Sequence, residues 1–178
     1  MPSHLKPPVN EKDHTDGTAA ASIELVEYGD YQCPHCGAAY PVIKKIQKTF
    51  GKQIRFVFRN FPLSEIHPDA MAAAIATEAA ALQNKFWQMH DIIFENQDLL
   101  SAEGLHKMAV SVGLNMQKFK KDIQREDLQA KVESDFESGV RSGVNGTPTF
   151  FINSQRHDAD FERETLLQAI QKMIHRHK

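Results

Sequence analysis

Apolar positions along the chain change period several times, and each change marks a different structural element. Ser22-Ile23-Glu24-Leu25-Val26-Glu27-Tyr28 reads as a strand, and Gly29-Asp30-Tyr31-Gln32 as a short connector. From Cys36 the spacing turns helical, with Val42, Ile43, Ile46 and Phe50 on one face. Pro41 inside that segment predicts a kink, and Gly51 predicts a left-handed end. Ile54-Arg55-Phe56-Val57-Phe58-Arg59 alternates again, as a second strand. Strand, helix and strand make a βαβ unit, so the two strands are expected to be parallel with a right-handed crossover.

After Phe61-Pro62-Leu63 the character changes, and no strand is expected from Pro68 to about Arg141. Pro68 is expected at a first helical position with Asp69 in the first turn, and Ala70 to Leu82 has high helix propensity. Asn84 is expected to cap a helix that carries Phe86, Met89 and Ile93 on one face. Ser101 begins another, closed by Gly113, and Asn115 begins the next. Asp127 to Val140 completes the group. Gly143, Gly146 and Pro148 break the pattern before a buried strand, Thr149 to Asn153, with Asn153-Ser154 as a hairpin turn. A final amphipathic helix is predicted from about Glu162, with Leu166, Leu167, Ile170 and Ile174 facing the core. The fold class is therefore α/β. Residues 1–20 read as a tail, 21–63 and 142–178 as one α/β domain, and 64–141 as an all-helical insertion.

Composition narrows the function classes. With 178 residues, 41% apolar positions and a formal charge of −2, the chain reads as one globular domain with an insertion. Lysines and arginines are scattered, with no basic run interleaved with aromatics, so no nucleic-acid partner is expected. Ala70 to Leu82 is too short to span a bilayer and carries Glu78, so no membrane insertion is expected. Met1 to His14 is polar and proline-marked and lacks the apolar stretch of a secretory signal. That places the chain as written in the cytoplasm, or in the periplasm or another extracytoplasmic space if a leader has been removed. A monomer is the expected state.

The candidate chemistry sits at Cys33-Pro34-His35-Cys36. These two cysteines are the only ones, separated by two residues where a strand gives way to a helix. They are too few for a disulfide scaffold, and half a zinc site is disfavoured because no second cysteine pair exists. At a helix start, unpaired N–H groups and the positive end of the dipole favour a thiolate on the first cysteine, with the second one turn further in. His35 is placed to stabilise that thiolate by charge or hydrogen bonding. His67 before Pro68 reads as a helix-start residue, Phe86, Trp87 and Met89 as core, and His175 and His177 as solvated.

Two separated pieces, Glu27-Tyr28-Gly29-Asp30-Tyr31-Gln32-Cys33-Pro34-His35-Cys36 and Val144-Asn145-Gly146-Thr147-Pro148-Thr149-Phe150-Phe151-Ile152-Asn153, together resemble the DsbA-like branch of the thioredoxin superfamily. The resemblance implies a thioredoxin-like fold with an inserted all-helical subdomain. It implies an exposed nucleophile at Cys33, a buried resolving thiol at Cys36, and a cis-proline at Pro148 beside them. The backbone of Thr147 would then face an extended substrate, Pro34 would support the turn, and Glu27 would be the buried acid beneath the site. The lysine that partners this acid in relatives has no counterpart on Ile54 to Arg59.

The implied function is thiol–disulfide exchange through a Cys33–Cys36 dithiol/disulfide, with no metal and no cofactor beyond that redox-active pair. Implied partners are protein or peptide thiols and disulfides, with glutathione or a thioredoxin-type protein for recycling. Alternatives are a glutathione-dependent isomerase or transferase, whose members usually lack the second cysteine, and a peptide-binding, chaperone-like module with incidental thiols. The Pro-His pair leans toward an oxidant, whereas a reducing compartment favours reductase or isomerase traffic.

Overall fold

The structure is a computed structural model that describes residues 3–161 and 165–176. It begins with an element that the apolar pattern assigned to a tail. His14–Asp16 (β1) is a strand, antiparallel to Ile54–Asn60 (β3), with His14 opposite Phe58. Its His-Thr-Asp sequence has no apolar alternation. Pairing to a strand flank holds it there, and both carboxylate oxygens of Glu78 lie within 3.0 Å of His14 Nε2.

Ile23–Gly29 (β2) runs parallel to β3, Ile23 opposite Ile54 and Gly29 opposite Asn60, with Pro34–Phe50 (α1) as the crossover. The helix continues through Pro41. Gly51 ends it at φ 52°, ψ −120°, so glycine is required, although ψ lies outside the left-handed helical well.

Five helices follow: Ala70–Ala81 (α2), Phe86–Glu95 (α3), Ala102–Ser111 (α4), Met116–Asp122 (α5) and Glu126–Arg141 (α6). Ser101 and Asn115 cap α4 and α5 as expected, their side chains accepting from the N–H groups of Gly104 and Lys118. Two expectations fail here. Pro68 lies in a turn before α2, whose N-cap is Asp69. Asn84 does not cap α3; at φ 58° it makes the left-handed turn into the helix, and Lys85 is the N-cap.

Thr149–Ile152 (β4) then returns antiparallel to β2, and Asn153 and Ser154, both at positive φ, turn the chain into Gln155–His157 (β5). The last helix is described as Thr165–Arg176 (α7), so the expected start at Glu162 and the reading of His177 lie outside the described residues. The sheet order is β1-β3-β2-β4-β5.

Strand parity divides the core. Ile23, Leu25, Phe56, Phe58, Phe150 and Ile152 pack under α1, α7 and the helical block. Val26, Tyr28, Val57 and Phe151 pack on the opposite face against Leu5, Phe61 and Phe136. Each large side chain fully buried this way contributes about 1.5–3 kcal/mol. Phe86 and Met89 are core as expected, and half-buried Trp87 donates its indole N–H to the Thr15 carbonyl, joining the helical block to β1. His90 is buried among aromatic rings with Nδ1 2.9 Å from the Tyr31 hydroxyl. Burial holds its pKa well below the ordinary value, so it packs as a neutral ring.

The N-terminal segment crosses the second face of the sheet. Leu5 donates to Ser154 and Arg156 to Ser3, while Leu5 and Val9 join the smaller core. Arg59, buried in β3, spends all five of its donors there. It binds Asp13 through two of them, at 2.8 and 2.9 Å, and the others reach the Pro7 and Pro8 carbonyls and the Tyr28 hydroxyl.

Candidate active site

Parallel pairing of β2 and β3, with β4 antiparallel between β2 and β5, brings three loops to one end of the sheet. These are the turn 30–33 after β2, the loop 61–67 after β3, and residues 144–148 leading into β4. In open α/β sheets, crevices at the carboxyl ends of parallel strands are where ligands sit.

Cys33 is the N-cap of α1, with Pro34 opening the helix. Its pKa is lowered to about 5, chiefly by a hydrogen bond from the Cys36 thiol, which outweighs burial; Thr147 and the backbone N–H groups of Cys36 and His35 add to it. Cys36 is held well above its ordinary value, first by burial, then by Cys33 and the charge of Glu27. Both cysteines are free thiols. The expectation of an exposed nucleophile is corrected: Cys33 is 4% exposed and Cys36 0%. Thr147 and the N–H groups at the helix start act on the first sulfur in the sense that stabilises its anion, while Asp30 holds the Cys33 backbone.

The Thr147–Pro148 bond is cis. Two atoms of Thr147 serve Cys33 in opposite senses. The carbonyl oxygen, 3.5 Å from Sγ, accepts from the neutral thiol, whereas the buried hydroxyl, which has no hydrogen-bond partner, favours the thiolate. Of His35, the backbone N–H is directed at Cys33. Its exposed imidazole lines a groove of about 300 Å³ with Thr147, Pro148, Phe150, His157 and Phe161.

Glu27 is buried as strand parity predicts, between its strand partners Phe58 and Phe150. Burial, then the nearby Cys33 charge, raises its pKa to about 8. Its Oε1 has no hydrogen-bond partner, in keeping with the missing lysine.

Five residues that the sequence pattern does not assign to the site hold it together. Asp30, read there as part of a connector, is buried, and its Oδ1 accepts from the N–H groups of Gln32 and Cys33 at 2.8 and 3.1 Å. Its Oδ2 accepts from Leu63 N–H and lies 2.8 Å from His67 Nδ1. His67 is thus not a helix-start residue; it ties the loop after β3 to the turn that carries Cys33. Gln32 and Asp69 add a reciprocal pair, 2.8 and 3.2 Å. From the helical block, Gln97 donates to the carbonyls of Tyr31 and Cys33 at 2.9 and 3.0 Å. Gly37 leaves room for this side chain, since a Cβ there would lie 1.9 Å from Gln97 Oε1 and displace it. An aspartate two or three positions before a helix start is a known local turn pattern, so Asp30 carried a readable signal. His67 and Gln97 carried none, because their partners meet them only through the fold.

Residues 9–172 match a family model described as thioredoxin. The chain belongs to the thioredoxin family. Among solved structures, BdbD from Bacillus subtilis superposes with a TM-score of 0.84 at 23% identity, covering 97% of this chain and 98% of that one. The thiol-disulfide exchange protein alpha-DsbA2 from Wolbachia pipientis gives 0.81 at 19% identity, over 92% and 88%. These likenesses establish a thioredoxin-like fold with helices inserted between β3 and β4.

Curated relatives include proteins named Na(+)/H(+) antiporter NhaA. The one from Mycolicibacterium vanbaalenii is 37% identical over 94% of this chain and 27% of its own length. That from Herminiimonas arsenicoxydans is 36% identical over 96% and 27%. The chain spans about a quarter of the length of these relatives. No helix among the described residues is long and apolar enough to cross a membrane.

Proposed function

We propose that the protein is a thiol–disulfide oxidoreductase in which Cys33 is the nucleophile and Cys36 the resolving thiol. The observation that carries this is the split between two sulfurs one helical turn apart, one lowered to about 5 and the other held protonated beside it. At neutral pH only Cys33 is a thiolate, so only it attacks. Its sulfur attacks one sulfur of a substrate disulfide, forming a Cys33–substrate mixed disulfide and releasing the other sulfur as a thiolate that takes a proton from water. Cys36 then gives up its proton and attacks Cys33 Sγ, which releases the second substrate thiol and closes Cys33–Cys36. Run backwards, the same steps oxidise a substrate dithiol.

Glu27 is assigned the proton of Cys36. While Cys33 is anionic its charge helps keep Glu27 protonated; once Cys33 is in the mixed disulfide that charge is gone, and Glu27 ionises more easily and can accept the proton. Thr147 and Pro148 present backbone to an extended polypeptide beside Cys33, and His35 lines the same groove. A lowered Cys33 pKa stabilises the dithiol at any pH above it, which makes the disulfide the more oxidising form. The redox poise of the compartment and the recycling partner, glutathione or a thioredoxin-type protein, then set the direction of net exchange. The antiport named for the relatives belongs to proteins of which this chain matches about a quarter, and it is not carried over.

The test is insulin reduction together with the pH profile of alkylation. The expected result is a single fast-reacting thiol with a midpoint near 5, and a Cys33→Ser variant that binds unfolded peptide but does not turn over. Turnover surviving in that variant would leave the redox reading without its nucleophile and favour a peptide-binding module.

A further inference from the structure

A second cavity, with no lining residue in common with the His35–Pro148 groove, lies along the loop after β3. It is an open groove of about 710 Å³ between that loop and α6, floored by Pro62, Leu63, Met71 and Phe136, with Ile66 on its lip. Ile66 is 68% exposed, an unusual position for a large aliphatic side chain. The rim carries Glu65, Glu133 and Glu137, all exposed, and no lysine or arginine lines the groove. The nearby charges offset this only weakly. Glu133 accepts from Gln129, and Glu137 shares a single long ion pair with exposed Arg141, 3.8 Å.

This groove is joined to the reactive turn. Leu63, part of its wall, donates its N–H to Asp30 Oδ2, while the other oxygen of that carboxylate holds the N–H of Cys33. Strand direction gives the same placement: the loop that forms the groove leaves the end of β3 that lies beside the end of β2 leading to Cys33. The acidic, apolar groove and the His35–Pro148 groove thus adjoin the same turn through different residues.

Resting on the oxidoreductase reading, we propose that this second groove receives a stretch of the substrate polypeptide bearing a large apolar side chain flanked by lysine or arginine. The apolar floor buries the side chain, and the rim carboxylates meet the flanking cations. Other occupants fit less well. A second copy docked by two-fold symmetry would set Glu65, Glu133 and Glu137 against themselves. An anionic membrane surface would meet the same negative rim.

The test uses the full chain and matched synthetic peptides, each carrying one cysteine as a mixed disulfide and a flanking leucine or phenylalanine, with neighbours either lysine or glutamate. Second-order rate constants are measured at low and high salt and divided by the same protein's rate with bis(2-hydroxyethyl) disulfide, a small neutral substrate. The lysine peptide is expected to react about tenfold faster than the glutamate peptide at low ionic strength, a preference that salt removes. In a Glu133→Lys/Glu137→Lys variant the order reverses, and Ile66→Ser slows both apolar peptides relative to one flanked by serine.

Equal normalised rates in the parent protein, or a preference unchanged by the double lysine variant, overturn the proposal. A dimer in sedimentation velocity that Ile66→Ser dissociates also overturns it, in favour of self-association. If no disulfide reacts, including the neutral one, the redox reading itself has failed. The groove is then judged by fluorescence anisotropy with serine-for-cysteine peptides, where the lysine peptide must still bind more tightly than the glutamate one.

Discussion

Glu27 and Asp30 are two buried carboxyl groups on one short stretch of chain beneath the same thiols, and the fold supplies them unequally. Asp30 receives three backbone N–H donors and lies against His67. Glu27 sits between Phe58 and Phe150 with one oxygen unpartnered, and its pKa rises to about 8. Burial does not by itself decide what an acid does. The hydrogen-bond donors around it do: with them the group becomes a fixed anchor, and without them it becomes a site that exchanges protons near neutral pH.

The largest effect that would sharpen this contrast is on the pH dependence of stability. Glu27 has a folded pKa raised from 4.5 to about 8. Its contribution is fully present below about 4.5 and is lost as pH rises through about 8, with a slope of up to about 1.4 kcal/mol per pH unit between them. Cys33 acts in the opposite sense in the dithiol form: its contribution is present above 9 and is lost as pH falls through about 5. Glu27→Gln removes only the first of these. Urea unfolding of the dithiol protein from pH 5 to 9 should show the variant gaining on its parent with rising pH; parallel curves would mean that Glu27 is not perturbed as described.

Asp30→Asn comes next. An amide presents an NH₂ group to donors that now face oxygen, leaving at least one buried N–H unpaired, and should cost about 3 kcal/mol. A shift in urea midpoint worth less than about 1 kcal/mol would remove Asp30 from its role as anchor. His67→Asn should have the smallest effect, about 1 kcal/mol, because Asp30 keeps its three backbone donors. A loss as large as that of Asp30→Asn would instead make the imidazole the main support of the turn.

The same contrast separates what could be read from the sequence from what could not. Glu27 was legible because its burial follows from strand parity with Ile23 and Leu25. Cys33, Cys36 and the Thr147-Pro148 pair were legible because each lies in a short motif. The main strands and the helical block followed from periodicity and from caps such as Ser101 and Asn115.

What escaped depends on contacts between distant residues. His67 meets Asp30 from 37 positions away and Gln97 meets Cys33 from 64. β1 escaped because three polar residues show no period, and their pairing is set by the free flank of β3. The burial of Cys33 was missed for a similar reason, since Thr147 reaches it from 114 positions away.

The N-terminal segment has a wider consequence. Residues 3–5 lie along β5 and residues 14–16 along β3, so one stretch of chain covers both lateral flanks of the sheet. Without it, β3 and β5 would each present a row of unpaired backbone groups, the template that drives strand addition between molecules. A single proteolytic cut near Gly17 would release both covers together. Resistance to aggregation thus depends on a segment outside the reactive motifs, held by strand pairing at both flanks, by Leu5 and Val9 in the smaller core and by buried Arg59.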